Sequence, residues 1–94
     1  MKAIWNGVQL TEDTDDTIVV EGNHYFPADK VKMEYFKKAE GYHTTCPWKG
    51  LCSYYDIEVN GETNQHGAWV YEDPSKAAEE IKEYVAFWNG VEVV

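Results

Sequence analysis

Cys52-Ser53-Tyr54-Tyr55-Asp56-Ile57-Glu58-Val59 is the stretch that decides the fold. Its residues alternate. Ser53, Tyr55, Ile57 and Val59 fall on one face of an extended chain, and Cys52, Tyr54, Asp56 and Glu58 on the other. A period of two belongs to a strand rather than a helix. Asn60-Gly61 follows, a dipeptide that tolerates positive φ at both positions of a tight turn. It opens a polar loop through Gly67, after which Ala68-Trp69-Val70-Tyr71 reads as the returning strand, with Trp69 and Tyr71 on a common face.

The same turn chemistry recurs at both ends. Ala3-Ile4-Trp5-Asn6-Gly7-Val8-Gln9-Leu10 resembles Ala86-Phe87-Trp88-Asn89-Gly90-Val91-Glu92-Val93, so the chain is expected to begin and end with hairpins. Eight residues are too few to establish a duplication. Thr17 to Glu21 reads as a buried strand, Gly22-Asn23 as a turn, and His24-Tyr25-Phe26 as a short extended piece ending at Pro27. Thr44 to Gly50 reads as a turn.

Two short helices are expected. One starts at Asp29 as N-cap and runs to about Ala39, with Gly41 as its stop. Val31, Tyr35, Phe36 and Ala39 line one side of it, and Lys30, Lys32, Lys37 and Lys38 face water. The other starts at Asp73-Pro74, with Ala77, Ala78, Ile81, Tyr84 and Val85 as its apolar stripe. The resulting fold class is α+β: one domain over residues 1–94, mainly antiparallel β, with two short helices and no evident βαβ crossover.

All eight basic residues are lysines, and against seventeen acids they leave a net charge of −9. That balance argues against nucleic acid and anionic membrane as partners, because both attract a positive face. Without arginine the chain also lacks the bidentate clamp for phosphate. No apolar run approaches the roughly 20 residues of a membrane-spanning helix. The start shows no basic-then-apolar leader, so the expected location is cytoplasmic, with Cys46 and Cys52 reduced. Fourteen aromatic residues are a large share for so short a chain.

Chemistry concentrates in Thr45-Cys46-Pro47-Trp48-Lys49-Gly50. Pro47 fixes φ and Gly50 permits positive φ, so the segment presents its side chains from a rigid turn. Cys46 beside Lys49 is either a thiol activated by the nearby charge or a small packed apolar residue. Glu21, after an apolar run, is either a general base or an ion-pair partner of Lys49. His43, Cys46 and Cys52 offer three possible metal ligands, with His24 as a fourth. They lack the tight Cys-x2-Cys pairing of structural zinc, so neither zinc nor another cofactor is expected. Trp48, Tyr54, Trp69 and Tyr71 either fill a tryptophan-rich core or wall a pocket beside the turn. Such an acidic, aromatic pocket suits a cation or a flat ring.

Glu21-Gly22-x-x-Tyr25-Phe26-Pro27, Thr45-Cys46-Pro47-Trp48-Lys49-Gly50, Tyr54-Tyr55, Trp69-x-Tyr71, Pro74 and Val85-Ala86-Phe87 together resemble the domain-of-unknown-function 427 family, small proteins with a Cys-Pro-aromatic-Lys-Gly signature. The resemblance covers nearly the whole chain. It implies a β-rich single domain similar to the β-tent group, which includes zinc-binding and ligand-binding domains. The paired cysteines of those zinc sites are absent here. The resemblance also brings a nucleotidyltransferase-like label. Such enzymes use a Gly-Ser turn with paired metal-binding aspartates. Asp13-Thr14-Asp15 has the carboxylate spacing without that turn. The residues that match the family's motifs are Glu21, Tyr25, Thr45, Cys46, Trp48, Lys49, Tyr54, Trp69 and Tyr71.

The leading expectation is therefore a domain that binds a small molecule or modified group. Aromatic rings form the walls, Glu21 and Lys49 are polar anchors, and Thr45 supplies a hydrogen bond. The alternatives are an enzyme using Cys46 as nucleophile or redox centre, a nucleotidyltransferase-like activity, and a protein-interaction module with exposed aromatics. The chain is expected to be a monomer or a homodimer, and the apolar strand Val91-Glu92-Val93-Val94 is either an edge that dimerises or a central strand of the sheet.

Overall fold

The computed structural model describes residues 1–94 and contains nine strands: β1 (Ala3–Trp5), β2 (Val8–Gln9), β3 (Ile18–Val20), β4 (Asn23–Tyr25), β5 (Phe36–Cys46), β6 (Gly50–Val59), β7 (Glu62–Val70), β8 (Val85–Phe87) and β9 (Glu92–Val93). Every pairing is antiparallel. The strands form a four-stranded sheet in the order β5-β6-β7-β8, a three-stranded sheet β2-β1-β9 and the hairpin β3-β4. The chain is thus mainly antiparallel β. No helix is long and apolar enough to cross a membrane.

Strand β7 shows how the four-stranded sheet divides the interior. Ala68 and Val70 point into a core with Leu10, Phe26, Ile57, Val59, Val85 and Phe87. Phe87 stacks edge-on against Phe26 at 5.6 Å, a contact worth about 0.5–1.5 kcal/mol beyond its buried area. Trp69, from the other face, packs against a second core of Tyr25, Cys52, Tyr71, Ala78, Ile81 and Ala86. The hairpin β3-β4 covers this second face. It is joined to the sheet by a bridge in which Phe26 and Val85 exchange both backbone hydrogen bonds at 2.8 Å.

The two expected helices do not form. Residues 28–35 make two single 3₁₀ turns, Ala28–Lys30 and Met33–Tyr35, and β5 then begins at Phe36, which pairs with Ile57. Val31 and Phe36 still face the core, so their spacing reported burial correctly and conformation wrongly. Pairing with the long strand β6 outweighs the local preference of a lysine-rich segment. The second segment is a 3₁₀ stretch, Lys76–Ile81, broken at Ala78. Ser75 precedes it and makes no capping bond, because its hydroxyl donates to the Trp48 carbonyl instead.

Several turns also fall elsewhere. β7 begins at Glu62, directly after the Asn60-Gly61 turn, so the expected polar loop is strand. Thr44–Cys46 belong to β5, which narrows the expected turn to Pro47–Lys49. β3 is not a buried strand: Val19 is more than half exposed. At the end of the chain β9 pairs with β1 rather than folding back on β8. The chain reverses between β3 and β4 at Glu21-Gly22, since Val20 pairs with Asn23.

Candidate functional site

The β5-β6 hairpin closes with Cys46 opposite Gly50, leaving Pro47, Trp48 and Lys49 as its loop. Gly50 sits at φ +106°, and a Cβ there would come within 3.3 Å of the Ser75 nitrogen. This glycine lets the 73–75 segment lie against the loop. The Ser75 N–H donates to the Lys49 carbonyl at 2.8 Å and its hydroxyl to the Trp48 carbonyl. Held on both sides, the loop turns Lys49 inward, and only 6% of that residue remains exposed.

The ammonium of Lys49 lies 5.4 Å from the ring centres of both Trp48 and Tyr71 and donates to the Glu21 carboxylate. Burial pulls the Lys49 pKa down, but the bond to Glu21 opposes it and the net position is above the ordinary lysine value. The same bond holds the Glu21 carboxyl below the ordinary carboxylate range. Glu21 occupies a left-handed conformation at φ +53°, beside Gly22. The tight turns Asn6-Gly7, Asn60-Gly61 and Asn89-Gly90 also have positive φ at both residues, and there asparagine takes the first position. Asparagine tolerates that conformation well and glutamate poorly. The one turn that departs from the rule is the one that delivers the carboxylate to Lys49.

Beside this pair lies a cavity of about 210 Å³ lined by Lys49, Cys52, Tyr54, Trp69, Tyr71 and Trp88. Strand register explains the convergence. Tyr54 is directly opposite Trp69, and Trp69 opposite Ala86, so Trp88 follows two residues later on the same face. Three of the four rings are held by their polar tips. Trp69 Nε1 donates to the Tyr25 hydroxyl at 3.1 Å, Trp88 Nε1 to the His66 carbonyl at 2.5 Å, and the Tyr54 and Thr44 hydroxyls share a hydrogen bond at 2.8 Å. Trp69 and Trp88 meet edge to face at 6.0 Å. Outside Tyr54, Tyr42 stacks flat on His66 at 3.9 Å.

Burial raises the pKa of the Cys52 thiol and of the Tyr25, Tyr54 and Tyr71 phenols. At neutral pH the walls are therefore uncharged, and Lys49 is the one charged group lining the cavity.

Of the residues singled out in the sequence, Lys49, Tyr54, Trp69 and Tyr71 line the cavity, Glu21 and Trp48 flank the ammonium, and Tyr25 anchors Trp69 from beneath. Cys46 is half-buried against the second core and is not part of the lining. Thr45 is exposed and pairs with Leu51, one position off the face that carries Cys52. Its neighbour Thr44 makes the contact to Tyr54. His43 bonds Ser53 on the face opposite Cys46, which separates two of the residues that resembled metal ligands. No group of three or more His, Cys, Asp or Glu side chains converges anywhere. Two lining residues were not singled out as binders, Cys52 and Trp88. Cys52 shares its strand face with Tyr54. Trp88 becomes legible once β7 and β8 are known to pair.

A sequence model of the domain of unknown function DUF427 matches residues 1–94. The chain belongs to the DUF427 family. No curated protein matches it. For this DUF427 protein the family description assigns no activity, so the function is argued from the site.

Proposed function

We propose that this DUF427 protein binds a small planar molecule in the cavity between β6, β7 and β8. The carrying observation is that three of its four wall rings are fixed by hydrogen bonds at their polar tips, leaving their aromatic surfaces and the Lys49 ammonium for a guest. Prearranged aromatic walls with few polar anchors are the general form of a small-molecule site. The volume lies below the roughly 300–1,000 Å³ of sites for drug-sized ligands, which favours a single ring. Of the two guests that composition suggested, the flat ring is favoured over the cation. The protein's own ammonium already sits between Trp48 and Tyr71 and repels a second positive charge.

Binding is favoured over catalysis by the thiol in the site. The lining cysteine is Cys52, which burial keeps protonated, and the thiolate is the nucleophile in cysteine chemistry. The three antiparallel sheets form a β-tent-like scaffold in this reading, and the two free thiols suit a reducing, cytoplasmic setting.

The test is a thermal-shift and tryptophan-fluorescence screen of single-ring aromatics. A ligand at about a hundred times its Kd adds about 2.7 kcal/mol, which raises Tm by roughly 10–20 °C in a domain this small. Trp88 is more than half exposed, so Trp88→Ala removes a wall without opening either core. The expected result is loss of the ligand-induced shift with little change in the unliganded Tm. No shift from any compound at millimolar concentration overturns the proposal.

A further inference from the structure

We propose that the guest of this cavity is a neutral ring bearing an amide-type carbonyl, a carboxamide or lactam, whose oxygen accepts from Lys49, and that Glu21 is the device that excludes acids. The inference rests on the small-molecule reading above. An ammonium has three N–H donors and no acceptor. In Lys49 one donor goes to Glu21, no other protein oxygen or nitrogen accepts from it, and the nearest groups besides are the Trp48 and Tyr71 rings. That leaves two N–H donors of a buried ammonium for a guest, so the site favours one that presents an oxygen acceptor to Lys49.

The charge of that guest follows from a count. Lys49 and Glu21 sum to zero, and the other lining groups that titrate, Cys52, Tyr54 and Tyr71, are neutral. A carboxylate brings the site to −1, inside aromatic walls and within a chain of net charge −9. An amine brings it to +1 with two cations close together. A carbonyl supplies the acceptor and changes nothing in the sum. Glu21 is half exposed and holds a conformation that glutamate disfavours, so the carboxylate is not there for packing. Its consequence is to cancel the charge that would otherwise recruit anions.

Benzamide, benzoate and benzylamine share one ring and differ in charge. They are titrated against the intact protein by tryptophan fluorescence and two-dimensional NMR. Benzamide is expected to bind about tenfold more tightly than either charged analogue. Glu21→Gln leaves the ammonium without its counter-charge, and the order is expected to invert, with benzoate ahead of benzamide. Lys49→Met is expected to weaken benzamide by removing its donor, with benzoate weaker still beside the uncompensated Glu21 carboxylate. The ranking on the unaltered protein needs no variant to fold. Equal binding of all three, or benzoate tightest on the unaltered protein, overturns the carbonyl proposal and leaves the aromatic cavity standing. An order unchanged in Glu21→Gln overturns the role of Glu21. Absence of binding by all three, with no hit in the broader screen, overturns the cavity reading itself.

Discussion

Tyr25→Phe deletes a single oxygen, and its cost can be worked from the structure. Tyr25 has no exposed surface, and its hydroxyl accepts the Trp69 Nε1–H at 3.1 Å. The two rings meet edge-on with centres 6.2 Å apart, and phenylalanine preserves that contact. What changes is the hydrogen bond and the donor left behind. A net intramolecular hydrogen bond contributes about 0.5–1.5 kcal/mol, and leaving a buried partner unmet raises the loss to about 1–3 kcal/mol. Trp69 is half-buried rather than sealed, so the middle of the range applies, about 1.5 kcal/mol. In a domain of this size that lowers Tm by roughly 6–12 °C. Urea unfolding is the assay: the midpoint should fall with an unchanged m-value, since the surface exposed on unfolding is the same. A cycle with Trp69→Phe isolates the bond from the packing, with an expected coupling of about 1 kcal/mol. A Tyr25→Phe loss below about 0.5 kcal/mol, or a coupling indistinguishable from zero, refutes the claim that this bond fixes the Trp69 wall.

Other consequences are equally open to measurement. A Cβ at Gly67 would lie 2.8 Å from both Asn64 Cγ and Ile57 Cδ1, so Gly67→Ala should cost about 1–3 kcal/mol in urea unfolding, and a neutral result means that neighbourhood is loose. Glu21, Glu72 and Asp13 have pKa values lowered by bonds to Lys49, Lys38 and the N-terminal amine respectively. The unfolded chain takes up these protons first, so their stabilisation is present above the ordinary carboxylate pKa and is lost as pH falls through the folded values. Stability should decline as pH falls below about 5, and Glu21→Gln should flatten part of that decline; an identical slope in the variant contradicts the pair. Cys52 is 2% exposed and its pKa is raised by burial, so iodoacetamide should label Cys46 well before Cys52 in the native protein. Comparable labelling by mass spectrometry would mean that the cavity floor opens on that timescale.

The strand faces were legible from alternation alone, because a half-buried strand has a period of two wherever it lies in the sheet. Cys52 and Tyr54 do share a face with Trp69 and Tyr71, and that shared face is the cavity. The helices were misread for the opposite reason. Val31, Tyr35 and Phe36 are spaced as on a helix, yet they reach the core from an extended residue bridged to Thr11, from a 3₁₀ turn and from the start of β5, and only the partner strands decide that outcome. Asp73-Pro74 read as the start of a helix, but the next residue, Ser75, has its hydroxyl committed to the Trp48 carbonyl, 27 positions away, and only a broken 3₁₀ stretch follows. Trp88 needed the β7-β8 register, which no local pattern carries. The Glu21-Gly22 turn had a visible signal in retrospect: glutamate stands where the other tight turns have asparagine.

The order of the larger sheet leaves β5 as an outer strand of eleven residues, the longest in the protein. A straight outer strand of that length offers a row of free backbone groups to any passing chain and is a recognised seed of aggregation. Here the ladder slips between Lys38 and His43, around Gly41 at φ +79°, with Lys37 and Lys38 just before the break and Glu40 within it. The break and the charges divide the edge into two short paired pieces, an arrangement that discourages edge-to-edge pairing. The segment that supplies the Cys46–Gly50 loop is thus an edge guarded against strand addition beside the cavity.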